Sequence, residues 1–356
     1  SMPVFNRTRF LVGVLFMTSF CGSSNTLAAS APQPEKFTNT HIEYKTTWRD
    51  MWKVTKAYFR DNRDAATPTF DIPVSALTPQ MLDAVAEDSV IKLGHSTTLL
   101  KLAERYILID PVFSERASPV QWMGPKRFHQ APISLEDLPK LDAVIISHDH
   151  YDHLDKGSIE ILKNKVDVFI TPLKVGNHLR DWGVDANKVV ELNWWQSTKV
   201  SDIEIVATPS QHFSGRGLFD RDETLWASWV IKSANTNIFY SGDSGYFDGF
   251  KTIGEKYGPF DLSMIETGAY NELWSDIHML PEESLQAHID IQASVMMPVH
   301  NSTFDLALHN WNEPLIKITD LAGAKGVPTS IPIFGEVVPV KGAGEAPNKT
   351  WWLDER

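Results

Sequence analysis

The sequence predicts a layered α/β domain that carries polar residues at the ends of its strands. Short apolar runs bounded by turn residues recur between Val90 and Val299, and helical stretches fit between several of them. Neither internal repeats nor a low-complexity segment interrupt this alternation, which extends over roughly 250 residues. In layered domains of this kind, functional sites usually lie where strands end.

The predicted strands are short, and several have tight connections. Ala143–Ser147 is a continuous apolar run and is therefore predicted to be a buried strand. A helix is predicted from Lys156, and another over Pro281–Ile291, where Pro281 suits the first helical turn. The other predicted strands are, in chain order, Val90–Leu93, Thr98–Leu102, Arg105–Ile109, Val168–Thr171, Glu204–Thr208, Trp229–Lys232, Asn237–Ser241, Leu262–Ile265 and Val295–Val299.

Residues 1–29 predict a secretory signal peptide. Arg7 and Arg9 precede the apolar run Phe10–Met17, and small residues follow as far as Ala29. The apolar run is short for a membrane span, so a retained anchor is the weaker alternative. We therefore expect an exported protein that is periplasmic or associated with the cell envelope.

Residues 30–75 are predicted to be an N-terminal extension of the main domain, which we assign to residues 76–345. Residues 31–40 are polar, contain two prolines and indicate a linker. Apolar residues at helical spacing predict an amphipathic helix over about residues 44–61. These residues are Trp48, Met51, Trp52 and Phe59. Their shared face either docks on the body of the protein or contacts a membrane.

The composition excludes several classes of function. The formal net charge is −12, so neither nucleic acid nor an anionic membrane surface should attract this protein electrostatically. Cys21 is the only cysteine and lies within the predicted signal peptide. After cleavage the chain would have no disulfide, thiolate metal site or cysteine nucleophile. Histidines and carboxylates would then have to hold any metal ion.

The strongest functional signal is the segment His148-Asp149-His150-Tyr151-Asp152-His153, which directly follows the predicted buried strand. Neutral imidazole and carboxylate oxygen suit zinc and related divalent ions. In a tight loop, His148 and His150 can face one ion while Asp152 and His153 face a second. A polar surface loop is the alternative, but these residue types rarely cluster by chance.

Three further candidate ligands each follow an apolar strand: His212, Asp243 and His300. Each alone is weak evidence, because a single histidine is more often structural. The repeated context of a strand followed by a metal ligand strengthens all three. Glycines around Asp243 would let the backbone approach metal ions closely.

The order His-x-His-x-Asp-His, then His, Asp and His, resembles the pattern of the metallo-β-lactamase superfamily. The sequence is most similar to one branch, the N-acylphosphatidylethanolamine-hydrolysing phospholipase D family, over roughly residues 88–320. It departs from that branch after the last ligand, where Asn301-Ser302-Thr303 replaces an aromatic residue and glycine. Besides the metal motif, the resembling segments are Leu93-Gly94-His95-Ser96-Thr97, Asp110-Pro111-Val112-Phe113-Ser114, Arg116-Ala117-Ser118-Pro119, Met123-Gly124-Pro125-Lys126-Arg127-Phe128, Thr224-Leu225-Trp226-Ala227-Ser228-Trp229, Gly258-Pro259-Phe260-Asp261-Leu262 and Gly268-Ala269-Tyr270.

The resemblance implies a four-layer αββα sandwich with a dinuclear zinc site, although other divalent metals fit the same ligands. The implied ligands are His148, His150 and His212 for one ion, Asp152, His153 and His300 for the other, and Asp243 as the bridge. The candidate catalytic residues are Asp152, Asp243 and His278. His278 falls where the family has a histidine near the substrate phosphate, and a structural histidine beside a helix start is the alternative.

Further residues are candidates for supporting roles. Lys126 and Arg127 would contact a phosphate or lipid head group, or else form a solvated loop. Tyr151 points either to substrate or into packing. Asp110 and Asp155 are candidates for orienting ligand imidazoles, although Asp155 alternatively caps the next helix.

The resemblance also implies the reaction. A hydroxide shared by two zinc ions would cleave N-acylphosphatidylethanolamine to phosphatidic acid and an N-acylethanolamine. A phospholipid or other phosphodiester is thus the expected substrate, with peripheral membrane contact and a homodimer as expected associations. Two alternatives remain: a lactonase or small-ester hydrolase on the same dinuclear site, and a non-catalytic envelope protein that keeps the metal site.

Overall fold

Two β-sheets form the centre of the molecule in a computed structural model, which describes residues 32–60, 65–345 and 348–353. The chain divides into two units, residues 1–35 and residues 36–356, and every element below belongs to the second. The predicted signal peptide lies outside the described residues. Within the described segments, no helix has both the length and the apolar character to cross a membrane.

The first sheet has seven strands in the order β13-β1-β2-β3-β4-β5-β6, and the second has six in the order β12-β11-β10-β9-β8-β7. Strands β3 to β6 are parallel to one another, as are β10 to β12. The strand bounds are β1 Ser89–Lys92, β2 Thr98–Leu102, β3 Arg105–Ile109, β4 Leu141–Ile145, β5 Val166–Pro172, β6 Val189–Leu192, β7 Ser197–Val200, β8 Ile203–Thr208, β9 Ser228–Lys232, β10 Asn237–Tyr240, β11 Phe260–Glu266, β12 Ala293–Val299 and β13 Val337–Pro339.

Helices cover the outer face of each sheet. Helices α3 and α4 pack on the first sheet through Ile159 and Leu179, and helices α5 to α7 pack on the second through Phe250 and Ile318. The helix bounds are α1 Trp48–Phe59, α2 Pro79–Asp83, α3 Lys156–Leu162, α4 Val175–Asp181, α5 Gly249–Tyr257, α6 Pro281–Asp290 and α7 Glu313–Ala324. The predicted four-layer αββα sandwich is therefore confirmed.

Alternation along the strands explains why the layers hold together. In β4, Ala143 and Ile145 face the second sheet, whereas Val144 between them faces the helices. Successive side chains of a strand point to opposite faces, so an unbroken apolar run covers both. All three residues are fully buried. Truncating Ile145 to alanine would remove packing in the central layer, at a cost of about 2–5 kcal/mol.

The structure corrects one expectation for the N-terminal extension and bears on a choice between two others. Residues 31–40 are not a linker throughout, because Phe37 is buried and its N–H donates to Asp222 O over 2.8 Å. The amphipathic helix is present as α1, but its apolar face does not dock on the body of the protein. The exposed fractions are 85% for Trp48, 69% for Trp52 and 88% for Phe59.

Candidate metal centre

The predicted metal ligands meet at one edge of the sandwich. The metal motif follows β4 of the first sheet, while His212, Asp243 and His300 follow β8, β10 and β12 of the second. Strands β8 and β10 both run antiparallel to β9, so they share one direction with β11 and β12. The carboxyl ends of these strands therefore lie together, which brings ligands distant in sequence into one cluster.

The first metal position is formed by His148, His150, His212 and Asp243, whose donor atoms lie within 4.8 Å of one another. The Nε2 atoms of His148 and His212 lie 3.4 and 3.6 Å from Asp243 Oδ2. His150 Nδ1 lies 3.2 Å from His212 Nε2. These imidazole nitrogens and the carboxylate oxygen converge as the ligands of one ion would.

The second metal position lies on the other side of Asp243. Asp152 Oδ2 lies 3.2 Å from His153 Nε2 and 3.1 Å from His300 Nε2. Asp243 Oδ2 lies 3.0 and 3.1 Å from the same two nitrogens. One oxygen of Asp243 therefore contacts the ligands of both positions, which is the placement expected of a bridging carboxylate.

The chemistry of these residues fits metal ions. Within the described part of the chain, His148 Nε2, His153 Nε2 and Asp243 Oδ1 are buried polar atoms that have no hydrogen-bond partner. Leaving such atoms unsatisfied costs free energy, and a bound cation would satisfy them. Imidazole nitrogen with carboxylate oxygen is a donor set that zinc accepts. The predicted ligands thus form two positions suited to divalent ions.

Burial and the neighbouring charges shift the pKa values of these donors in different directions. Burial lowers the pKa of His150 to about 3. Burial alone would also lower the pKa of His300, but the carboxylates of Asp243 and Asp152 raise it to about 10. Burial would raise the pKa of Asp243, yet His153 and His300 hold it well below its usual range. Metal ions bind deprotonated imidazole, so metal binding should become weaker as pH falls.

Comparisons with known proteins show the family to which the chain belongs. The beta-lactamase superfamily domain matches residues 105–301. An uncharacterized protein of Mycobacterium tuberculosis (strain ATCC 25618 / H37Rv) is 42% identical over 292 residues, covering 81% of this chain and 77% of that protein. N-acyl-phosphatidylethanolamine-hydrolyzing phospholipase D 1 of Caenorhabditis elegans is 37% identical over 247 residues, covering 65% and 69%. The chain belongs to the metallo-β-lactamase superfamily.

Within the superfamily, this protein lies in the N-acylphosphatidylethanolamine-hydrolysing phospholipase D-like branch, and it is a metallo-hydrolase. Its fold matches that of Igni18, a metallo hydrolase from the archaeon Ignicoccus hospitalis KIN4/I, with a TM-score of 0.54 at 23% identity. That alignment covers 71% of this chain and 98% of Igni18.

Several ligand imidazoles of this metallo-hydrolase are held by a second hydrogen bond. His153 Nδ1 donates to Asp110 Oδ2 over 2.8 Å. His212 Nδ1 donates to Ile277 O over 3.0 Å, and His148 Nδ1 lies 2.8 Å from Ser147 Oγ. These contacts fix the ring orientation and leave the other nitrogen for a metal ion.

The contacts of Asp155 and Tyr151 bear on the alternatives left open for them. Asp155 contacts no ligand imidazole in the described hydrogen bonds; its carboxylate accepts from Ser114 N over 3.1 Å and from Ser158 Oγ over 2.5 Å. It therefore anchors the loop after β3 to the start of α3. The hydroxyl of Tyr151 donates to Arg216 O over 2.8 Å, and the Arg216 guanidinium lies 4.0 Å from the centre of its ring. Tyr151 is thus engaged in packing.

The two residues of the basic pair, Lys126 and Arg127, differ in exposure and in the partners they contact. Lys126 is exposed and its Nζ lies 3.6 Å from Glu115 Oε1. Arg127 is buried, and its Nε donates to His129 O over 2.7 Å. A buried guanidinium whose Nε is engaged by a backbone carbonyl is less accessible to a lipid head group than the exposed Lys126 is.

His278 lies beside both candidate metal positions, and the structure adds a partner that the sequence analysis missed. The centre of its ring is 5.2 Å from that of His212 and 5.3 Å from that of His300. His278 Nδ1 donates to Glu266 Oε2 over 2.7 Å, and Glu266 Oε1 accepts from Met279 N over 2.8 Å. Glu266 is the last residue of β11, so the strand-end pattern that found the ligands also marks it.

His95 is the second residue that the sequence analysis missed. It follows β1 by three residues, is buried, and joins Asp152, His153 and His300 in one group of possible metal donors. Its segment carried the family resemblance, but the histidine itself had no assigned role. The same pattern, a strand followed closely by a possible ligand, would have identified it.

Proposed function

We propose that this metallo-hydrolase is a phospholipase D-like phosphodiesterase with two zinc ions, which cleaves N-acylphosphatidylethanolamine to phosphatidic acid and an N-acylethanolamine. The observation that carries the proposal is the pair of metal positions sharing Asp243, with His278 beside both. The relative of that activity in Caenorhabditis elegans, 37% identical over two thirds of its length, supports the lipid substrate.

Bound zinc would lower the pKa of water and offset negative charge that develops on the phosphoryl group. The residues of the chain supply the geometry for this chemistry. Asp243 sets the spacing of the two positions because its Oδ2 lies within 3.6 Å of ligand nitrogens from both. An anionic phosphodiester is stabilised where cations and imidazoles converge at a buried edge.

His278 is placed to act on the substrate directly. A carboxylate only accepts hydrogen bonds, so the contact with Glu266 assigns the proton of His278 to Nδ1. Nε2 is then the ring nitrogen available to a substrate oxygen. Burial would lower the pKa of His278, but the Glu266 carboxylate raises it overall. A protonated His278 can hydrogen-bond a phosphoryl oxygen or the leaving alcohol oxygen.

Zinc-loaded protein should release N-acylethanolamine from N-acylphosphatidylethanolamine vesicles, detected by mass spectrometry. Asp243→Asn should lower this rate by about 10²–10³-fold, because it removes the shared anionic ligand. Asp261→Asn serves as the matched control and should retain the rate. Asp261 lies on β11 of the second sheet, and its carboxylate pairs with Lys341 and not with a predicted metal ligand. No release by protein with two bound ions would contradict the lipid assignment and favour another phosphodiester or a lactone.

We also propose that the edge carrying the metals contacts the membrane that contains this lipid. Large apolar side chains are exposed on loops after two strands of that edge: Trp122 at 75% after β3, and Phe219 at 89% after β8. Helix α1, with Trp48 and Trp52 exposed, lies near residues 272–274, which follow β11. Exposed aromatic groups of this kind insert at lipid interfaces.

Vesicle sedimentation tests the membrane contact. The double variant that carries Trp122→Ser and Phe219→Ser should bind phosphatidylcholine vesicles more weakly than the wild type. Its turnover of a water-soluble phosphodiester should be unchanged. Ile161→Ser on α3 is the matched control, since Ile161 is 46% exposed on an outer helix. Equal vesicle binding by all three proteins would contradict the proposed surface.

A further inference from the structure

His95 is held between two predicted ligands of the second metal position. Its carbonyl accepts a hydrogen bond from His300 N over 2.8 Å, and the centres of the two imidazole rings are 4.0 Å apart. The side chain is only 2% exposed. The backbone contact therefore ties the turn after β1 to the residue that follows β12, one strand from each sheet.

The contact that decides the role of His95 is made by its Nε2. This atom lies 2.9 Å from Asp152 Oδ2, the same oxygen that lies 3.1 Å from His300 Nε2 and 3.2 Å from His153 Nε2. A carboxylate oxygen accepts, so Nε2 of His95 must be the donor. With its proton on Nε2, the neutral His95 ring has an unprotonated Nδ1, which can only accept a hydrogen bond.

The surroundings of Nδ1 are consistent with that tautomer. Within the described residues, His95 Nδ1 is buried and has no hydrogen-bond partner. A cavity of about 20 Å³ is lined by His95, His300 and Phe304 among others. That volume is enough for about one water molecule.

We propose that His95 is a positioning residue for Asp152 and thereby sets the affinity of the second metal position. Its hydrogen bond holds the carboxylate so that Oδ2 faces His153 and His300. Outer hydrogen bonds to ligands typically account for 10–100-fold in metal affinity. His95 belongs to the group of the second position and not to that of the first, so its effect is confined to one ion. This inference rests on the metal-dependent part of the proposed function and not on its lipid substrate.

Zinc titration against a chromophoric chelator, on metal-free full-length protein, tests the proposal without any lipid. His95→Phe removes the N–H donor and should lower the affinity for one of the two zinc ions by about 10–100-fold. His95→Gln keeps an N–H donor and should stay within about threefold of the wild-type affinities. Anomalous scattering from zinc-loaded crystals of His95→Phe should show reduced occupancy at the second position only.

His288→Phe is the matched control, because His288 is a buried histidine whose Nδ1 pairs with Ser263 Oγ instead of a metal ligand. It should bind both ions normally. If His95→Phe does not fold, His95→Met, which also lacks the donor, replaces it. The proposal is overturned if the donor-free variant keeps both affinities, if it loses the first position equally, or if His95→Gln is as weak as His95→Phe. The last outcome would mean that His95 is itself a ligand. All of these outcomes leave the lipid assignment to its own experiment.

Discussion

The two metal positions differ in the charge that surrounds them. Around the first, the outer partners of the ligands are neutral: Ser147 Oγ beside His148, and Ile277 O beside His212. Around the second, Asp152 is itself a ligand, and the Asp110 carboxylate accepts from a ligand imidazole. Apart from the shared Asp243, two carboxylates therefore serve the second position and none serves the first among these contacts.

If two ions bind as proposed, this difference predicts that they are not held equally. A carboxylate behind a ligand imidazole makes the imidazole a stronger donor, and an anionic ligand attracts a dication more strongly than a neutral one. The second position should thus retain its ion longer when a chelator is added. Asp110→Asn and Asn39→Ala test this asymmetry directly, and Lys92→Met tests the buried amine beneath the loop of the second position.

The largest effect is expected from Asp110→Asn. Asp110 is fully buried, and its Oδ2 accepts from His153 Nδ1 over 2.8 Å, Ser147 Oγ over 2.7 Å and Tyr240 OH over 2.5 Å. Removing its charge should lower the zinc affinity of the second position by about 10–100-fold. Breaking the buried pair of Asp110 and His153 should also lower the free energy of unfolding by about 3–5 kcal/mol. Zinc titration and chemical denaturation measure the two effects.

Asp142→Asn is the control for that experiment. Asp142 lies on β4 and accepts from Tyr106 N over 2.8 Å, but it binds no metal ligand in the described contacts. Both zinc affinities should be unchanged. Preferential loss of the first ion in Asp110→Asn would reverse the proposed asymmetry.

An intermediate effect concerns Lys92, a fully buried cation under the loop of the second position. Its Nζ lies 3.2 Å from Pro298 O and 3.4 Å from Asn301 Oδ1. Burial lowers the pKa of Lys92 from 10.5 to about 7. Between those values the unfolded chain binds a proton that the folded chain does not, so the free energy of unfolding rises with pH.

Lys92→Met should abolish that rise. From pH 7 to 9, wild type should gain up to about 1.4 kcal/mol per pH unit relative to the variant. Below pH 7, the penalty for the buried charge is fully present and the difference should be constant. Denaturation at several pH values measures this, and parallel curves for the two proteins throughout would show that Lys92 is not the titrating group.

The smallest effect is expected from Asn39→Ala, at the first position. The Asn39 side chain donates to His212 O over 2.8 Å and accepts from His212 N over 3.0 Å. Losing both bonds should loosen this ligand and weaken the first ion by a few-fold, since each net hydrogen bond contributes about 1 kcal/mol. Thr38→Ala, its exposed neighbour, is the control. If Asn39→Ala lowered the zinc affinity of the second position more than that of the first, the assignment of His212 to the first position would be contradicted.

The sequence by itself determined the layered fold and most of the metal cluster. Alternating and continuous apolar runs placed Thr98–Leu102 and Arg105–Ile109 at the bounds seen in the structure. The ligands of the metal motif are contiguous, so their proximity needs no knowledge of the fold. His212, Asp243 and His300 were found because strand and ligand are local neighbours, although sequence could not show that β8, β10 and β12 end at one edge.

Only the tertiary structure decided what each side chain faces. Sequence could not show that Asp155 binds Ser114, that Arg127 is buried, or that the apolar face of α1 is exposed, because each depends on contacts between distant segments. The same holds for the partnership of Glu266 with His278 and for the hydrogen bond from His95 to Asp152. Periodicity and spacing are encoded over a few residues, whereas hydrogen bonds inside a metal cluster depend on strand register and sheet packing, which involve the whole chain.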